Sequence, residues 1–126
     1  MRAAIISAGV LVLVLLAGLG NSACISAQCE AWERQLSGIE DAAVEKQWEA
    51  AQLQLEALHR SWDKAEPYLH TVTHHEDVEQ ALLLLEQCRL FASLQDGDAL
   101  LSAGEQLRCQ YRHLAETEEL RLENIL

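Results

Sequence analysis

Residues 48–65 read WEAAQLQLEALHRSWDKA. Trp48, Ala51, Leu55, Leu58, Trp62 and Ala65 recur at spacings of 3 and 4, with Glu49, Gln52, Gln54, Glu56 and Arg60 between them. Side chains on that rhythm share one face of an α-helix, whereas a strand alternates with period 2. A helix with one apolar face has to bury it against other elements, so this segment implies partner helices.

The neighbouring sequence supplies them. Upstream, Trp32, Leu36, Ile39 and Ala43 make a second stripe, in a helix expected over 28–45. Extending that stripe lands on Lys46 and Gln47, out of phase with Trp48. VEKQW (44–48) is therefore expected to be a tight turn, with a skip inside one long helix as the alternative. Downstream, Pro67 is expected to end the second helix, because proline disfavours helical geometry in the residue before it. PYLHTV (67–72) then becomes a connector. Thr73 and Glu76 have the spacing of a capping box at the start of a third helix. Its stripe is Val78, Ala81, Leu82, Leu85, Cys88 and Ala92, widened by Leu84 and Phe91. LQDGDAL (94–100) turns the chain, with Gly97 expected in the left-handed region and Asp98 as the cap of a fourth helix. Leu100, Gly104, Leu107, Tyr111 and Leu114 form the last stripe, where Gly104 would admit a closely packed neighbour.

The second and fourth helices match at an offset of 49: Ala50 with Ala99, Leu58 with Leu107, Trp62 with Tyr111. Two hairpins with aromatic anchors share features with tetratricopeptide units, but the full repeat pattern is missing. The composition agrees with helices throughout, since 50% of residues are hydrophobic and only one Pro and six Gly interrupt 126 residues. The expected fold is all-α: an N-terminal transmembrane helix followed by a four-helix bundle made of two helical hairpins.

The membrane helix is read from residues 3–20, AAIISAGVLVLVLLAGLG, a run long enough to cross a hydrocarbon core of about 30 Å. Arg2 is the only charged side chain before Glu30, which predicts a cytoplasmic N-terminus and an external remainder. Residues 1–27 are thus expected to be an anchor and 28–126 an extracytoplasmic domain. Two alternatives stand beside the anchor. One is a signal cleaved before Ala23, giving a secreted protein; the other is a lipoprotein held through Cys24. The formal net charge of −11 argues against nucleic-acid partners and against docking on anionic headgroups, both of which need Lys and Arg.

QWEAAQLQLEALHRSW (47–62), HHEDVEQALLLLE (74–86) and LRLENIL (120–126) resemble the bacterial family called domain of unknown function 4363. Trp48-x-x-Ala51 with Trp62, His75-x-Asp77-Val78 and the ending Leu122-Glu123-Asn124-Ile125-Leu126 carry the resemblance. It implies an uncleaved membrane helix with a helical remainder, and brings no established activity, cofactor or role for the cysteines. An ending shared with a family is not expected to be a loose tail. Leu120, Leu122, Ile125 and Leu126 are expected to cap one end of the bundle. The alternative is a partner-binding surface formed by Leu122, Asn124, Ile125 and Leu126.

His70, His74 and His75 crowd the start of the third helix with Asp77 and Glu79. His70 and His74 are four apart, a spacing that puts two metal ligands on one helical face. A turn between them and the absence of HExxH make solvated polar residues the main expectation, with His70, His74, His75 and Asp77 as candidates for a metal or pH-sensing site. Cysteines 24, 29, 88 and 109 lack CxxC spacing. Cys88 is expected inside and Cys109 outside; a Cys88–Cys109 bridge and an interchain bridge through Cys24 or Cys29 are alternatives. A ligand groove lined by Trp48 and Trp62 is the alternative to a core role for the tryptophans. No nucleophile elbow or phosphate loop is present, and no cofactor is expected. The functional expectation is a non-enzymatic module that binds a membrane protein or a second copy, with metal or small-ligand sensing as the alternative.

Overall fold

A computed structural model describes residues 1–125, with the side chains of Arg121, Leu122 and Ile125 outside the description. The elements are α1 (Arg2–Val44), α2 (Trp48–Val72), α3 (His75–Ser93) and α4 (Gly97–Ile125). α1 packs on α2 and α4, and α3 packs on the same two helices, which gives an up-down-up-down bundle.

The apolar run and the first bundle helix are one continuous α-helix of 43 residues. Nothing between 20 and 28 is a breaker strong enough to end it, and the core draws the helix on. Ser22, Ile25, Cys29, Trp32, Leu36, Ile39, Ala42 and Ala43 are its buried residues. Its apolar first part is exposed, and the helix is long and apolar enough to cross a membrane.

The turn at 45–47 is present. Lys46 takes φ 59°, while Gln47 N–H donates to the Ala42 carbonyl (2.8 Å) and Lys46 N–H to the Ala43 carbonyl (3.1 Å). This is a Schellman ending built without glycine. The α3–α4 turn repeats it 49 residues later. Gln95 has φ 55°, Asp96 N–H donates to the Phe91 carbonyl (2.9 Å) and Gln95 N–H to the Ala92 carbonyl (3.1 Å). The left-handed residue is thus Gln95, not Gly97, which is already the first residue of α4. The cap is Asp96, not Asp98: its Oδ1 accepts from Ala99 N–H at 3.1 Å.

The same offset relates the cores of the two hairpins. Buried Cys29, Trp32, Leu36, Ile39 and Ala43 are matched by buried Val78, Ala81, Leu85, Cys88 and Ala92, and Ala51, Leu55, Leu58 and Trp62 by Leu100, Gly104, Leu107 and Tyr111. Trp32 stands where its counterpart is Ala81, so the two hairpins contribute unequal volume at this level of the core. Trp32 lies 5.2 Å from both Trp62 and Tyr111 between ring centroids, and the three rings form the centre of the core.

Pro67 does not end α2, which runs on to Val72. A proline removes one backbone bond, here to the carbonyl of Asp63 on the exposed side of the helix, where water can replace it. Beyond it, Leu69 is 2% exposed, and its burial favours continuing the helix. PYLHTV is therefore helical rather than a connector. Thr73 closes α2 instead of opening α3: its hydroxyl donates to the Leu69 carbonyl at 2.8 Å. His74 takes the cap position of α3 without a side-chain cap bond, so no capping box forms.

Gly104 is buried, but a Cβ there would sit 3.6 Å from Glu40 and 3.7 Å from Leu36, ordinary contact distances. The close approach expected at this glycine is not required by the packing.

Candidate functional site

Four places in the bundle combine chemistry with accessibility. The first is the end where α2 hands over to α3. Because α2 continues past Pro67, His70 is carried on its last turns, and buried Leu69 beside it fixes that turn against the core. His75 starts α3. The two rings meet, with Nδ1 atoms 2.9 Å apart and ring centroids 4.6 Å apart. His70 Nε2 lies 3.3 Å from Glu66 Oε1, and His75 Nε2 lies 2.7 Å from Glu79 Oε1. Each pair is spaced i,i+4 on its own helix. The structure does not bring the four sequence candidates together. His74 is exposed, and Asp77 turns to α4, where His113 Nε2 is 3.3 Å from its carboxylate. Among the described residues no group of three or more His, Cys, Asp and Glu side chains converges as a metal-holding set. Glu66 was missed in the sequence because Pro67 was expected to place it at a helix end; its spacing from His70 was the available signal.

The second is the set of thiols. Cys29 and Cys88 are buried, Cys24 and Cys109 are exposed, and all four are free. Burial, with Glu33 as a smaller cause, pushes the Cys29 thiol up to about 12; burial, with Glu40 as a smaller cause, does the same for Cys88. Both are protonated and inert near neutral pH. An interchain bridge through Cys29 is excluded by its place in the core, and Cys88 and Cys109 face opposite ways.

The third is a cleft of ≈ 610 Å³ between α2 and α3, lined by Leu53, Leu90, Glu49, Glu56, Glu86 and Arg89 among others. Arg89 bonds Glu56 (2.8 Å) and Glu86 (3.1 Å), and His59 Nε2 lies 2.8 Å from Glu86. Leu83, Leu90 and Leu94 share one face of α3, and each is exposed by more than half. Leu53 on α2 is 70% exposed and lines the cleft with Leu90. The aromatic groove expected from Trp48 and Trp62 is absent: Trp62 is fully buried, and half-buried Trp48 packs beside Gly97.

The fourth is the α1–α4 seam and the C-terminal end. Arg108 pairs with Glu40 and bonds Ser37 (3.1 Å), Arg112 pairs with Glu33 (2.8 Å), and Ser26 donates to Glu119 (3.4 Å). These contacts run antiparallel in constant register and bring the end of α4 level with the end of the apolar run. Leu120 is 58% exposed and does not cap the bundle. Asn124 is exposed, while the side chains expected at Leu122, Ile125 and Leu126 lie outside the described residues.

The model of the family Domain of unknown function (DUF4363) matches residues 20–125, most of the chain, and the protein belongs to that family. No curated protein and no solved structure matches it.

Proposed function

We propose that this member of the DUF4363 family is a membrane-tethered bacterial module that works by binding a membrane protein rather than by catalysis. Its N-terminus is cytoplasmic and its bundle extracytoplasmic. The continuity of α1 carries the reading. A single helix leaves the apolar run and enters the core without a linker, so a tether through residues 3–20 would also hold the bundle in a fixed pose. At about 1.5 Å per residue, the Ser26–Glu119 contact stands about 9 Å beyond Gly20. The positive charge of Arg2 just before the run supports the orientation.

The surface that suits a partner is the α2–α3 cleft. Leu53 and Leu90 line its apolar part, exposed Leu83 and Leu94 continue the apolar face of α3 beyond it, and Glu49, Glu56 and Glu86 frame the cleft with negative charge. The occupant that complements both is an amphipathic helix with basic flanks, docked by its i, i+4, i+7 side chains. The terminal residues 122–126 are the rival surface.

Photo-crosslinking in intact membranes tests the reading. A photoreactive residue at position 90 should give one discrete adduct, while one at position 112, on the α1–α4 side, should not. Adducts from neither position would overturn the interaction reading. Loss of the position-90 adduct on deleting residues 122–126 would move the contact to the tail. Protease added outside wall-stripped cells should digest the bundle; full protection would reverse the orientation.

A further inference from the structure

We infer that the end of the bundle where α2 finishes and α4 returns rests in the headgroup layer of the membrane, on zwitterionic lipid, with Tyr68 and Leu120 as its contacts. The inference rests on the tether proposed above and adds a second attachment to it. Register along α1 gives the height. Trp32 Nε1 on α1 donates to Ser61 Oγ on α2 at 2.9 Å. The two helices run antiparallel, so seven residues farther along each, Ile25 and Tyr68 stand at one level. On the other side Ser26 donates to Glu119 at 3.4 Å, and one step farther along that antiparallel pair brings Leu120 to Ile25 as well. Two independent contacts thus put Tyr68 and Leu120 at the same height, about 8 Å beyond Gly20. The headgroup layer on each side of the hydrocarbon core is about 5–8 Å thick. The overlap with the membrane is visible on α1 itself. Leu13, Val14 and Leu16 are 60–68% exposed, whereas Leu15 is half-buried, on the face that continues through Ser22, Ile25 and Cys29. Shielding of the core face therefore begins inside the apolar run, and no charge stands on α1 between that run and Glu30.

The two side chains suit that layer. Tyr68 is 44% exposed and Leu120 58%, although both belong to helices whose other large apolar side chains are mostly buried. A tyrosine at a membrane interface keeps its ring among apolar groups and its hydroxyl among polar ones. Partial burial, then Cys24 and Glu118, push the Tyr68 hydroxyl up, so it stays a neutral donor for a lipid phosphate or ester oxygen. Leu120 adds apolar area and no charge. The net charge of −11 repels anionic headgroups, which leaves zwitterionic lipid as the surface that these contacts fit. With α1 as one attachment and this end as another, the bundle cannot turn freely about the axis of α1. The cleft between α2 and α3 then faces a fixed direction along the membrane.

The test uses the full chain in phosphatidylcholine vesicles, with Trp48→Phe removing the half-buried native indole. Tyr68→Trp and Leu120→Trp each add a reporter while keeping an interfacial side chain. Leu53→Trp adds one on α2 about 22 Å farther from the membrane. Buried Trp32 and Trp62 are common to all variants, and their emission is subtracted. A nitroxide on the lipid headgroup should quench the reporters at 68 and 120 about 3-fold more than the one at 53, and more than a nitroxide midway along the acyl chain does. Melting identifies a variant that fails to fold, and the other position then carries the test. Equal quenching at 68, 120 and 53, in chains that float with the vesicles, overturns the inference and leaves the tether standing. Stronger quenching by the acyl-chain nitroxide overturns it too, by sinking both side chains into hydrocarbon. A gain in quenching on adding phosphatidylglycerol would overturn the choice of zwitterionic lipid. Chains that do not float with the vesicles overturn the tether, and this inference with it.

Discussion

Trp32 and Trp62 are both fully buried and 5.2 Å apart, yet they should respond differently to the same substitution. Trp32 Nε1 donates to Ser61 Oγ at 2.9 Å. Trp62 Nε1 finds no acceptor among the described residues. Replacing either by Phe removes similar apolar volume, at a cost of about 1–2 kcal/mol. Trp32→Phe also removes a hydrogen bond worth about 1 kcal/mol, for a total of about 2–3 kcal/mol. Trp62→Phe instead removes an unsatisfied donor, which returns about 1–3 kcal/mol and leaves a net loss of about 1 kcal/mol or less. Both figures matter against a domain stability of roughly 5–15 kcal/mol. Urea unfolding of the full chain in detergent, followed by helical circular dichroism, measures the difference. A Trp62→Phe loss equal to or above that of Trp32→Phe would refute the reasoning, by showing that the Trp62 ring is satisfied or that its shape dominates. Trp62→Ala, which also breaks the contacts with Trp32 and Tyr111, should cost about 3–5 kcal/mol.

Cys29 and Cys88, pushed up to about 12 by burial, stay protonated in the folded chain while unfolded thiols ionise from about pH 9. The folded state then binds more protons, so stability falls as pH rises from about 9 to 12, by about 2 kcal/mol per thiol at pH 10.5. Denaturant midpoints at pH 8.5 and 10.5 should converge in a Cys29→Ala/Cys88→Ala variant; an unchanged difference would contradict the assignment. A thiol reagent should label Cys24 and Cys109 in the native chain, and Cys29 and Cys88 only after unfolding. Gly104→Ala meets only ordinary contacts and gains helix propensity, so it should be neutral or stabilise by up to about 1 kcal/mol in the same unfolding assay. Arg108→Met strands the Glu40 carboxylate and should cost about 2–3 kcal/mol, much of it recovered by adding Glu40→Gln.

The sequence by itself determined the helices and their buried faces. Apolar residues at spacings of 3 and 4 encode a face directly, and Trp32, Leu58, Leu85, Leu107 and Tyr111 all lie in the core where their stripes put them. The break at 45–47 was legible because two stripes fell out of phase. The 49-residue offset was visible in three pairs, and the structure extends it to both turns. What only the tertiary structure decided is where a weak local signal met a strong non-local one. Pro67 argued for a helix end, but burying Leu69 outweighs one lost backbone bond on the exposed side. Gly97 was the residue best suited to the left-handed position, yet the register of α4 gave that position to Gln95 and the cap to Asp96. Extending α2 by those turns is what carries His70 to His75. The pair was illegible in the sequence because spacing along one helix says nothing about a meeting across two. That meeting depends on where α2 ends and how α3 packs back against it, and both are set by the core.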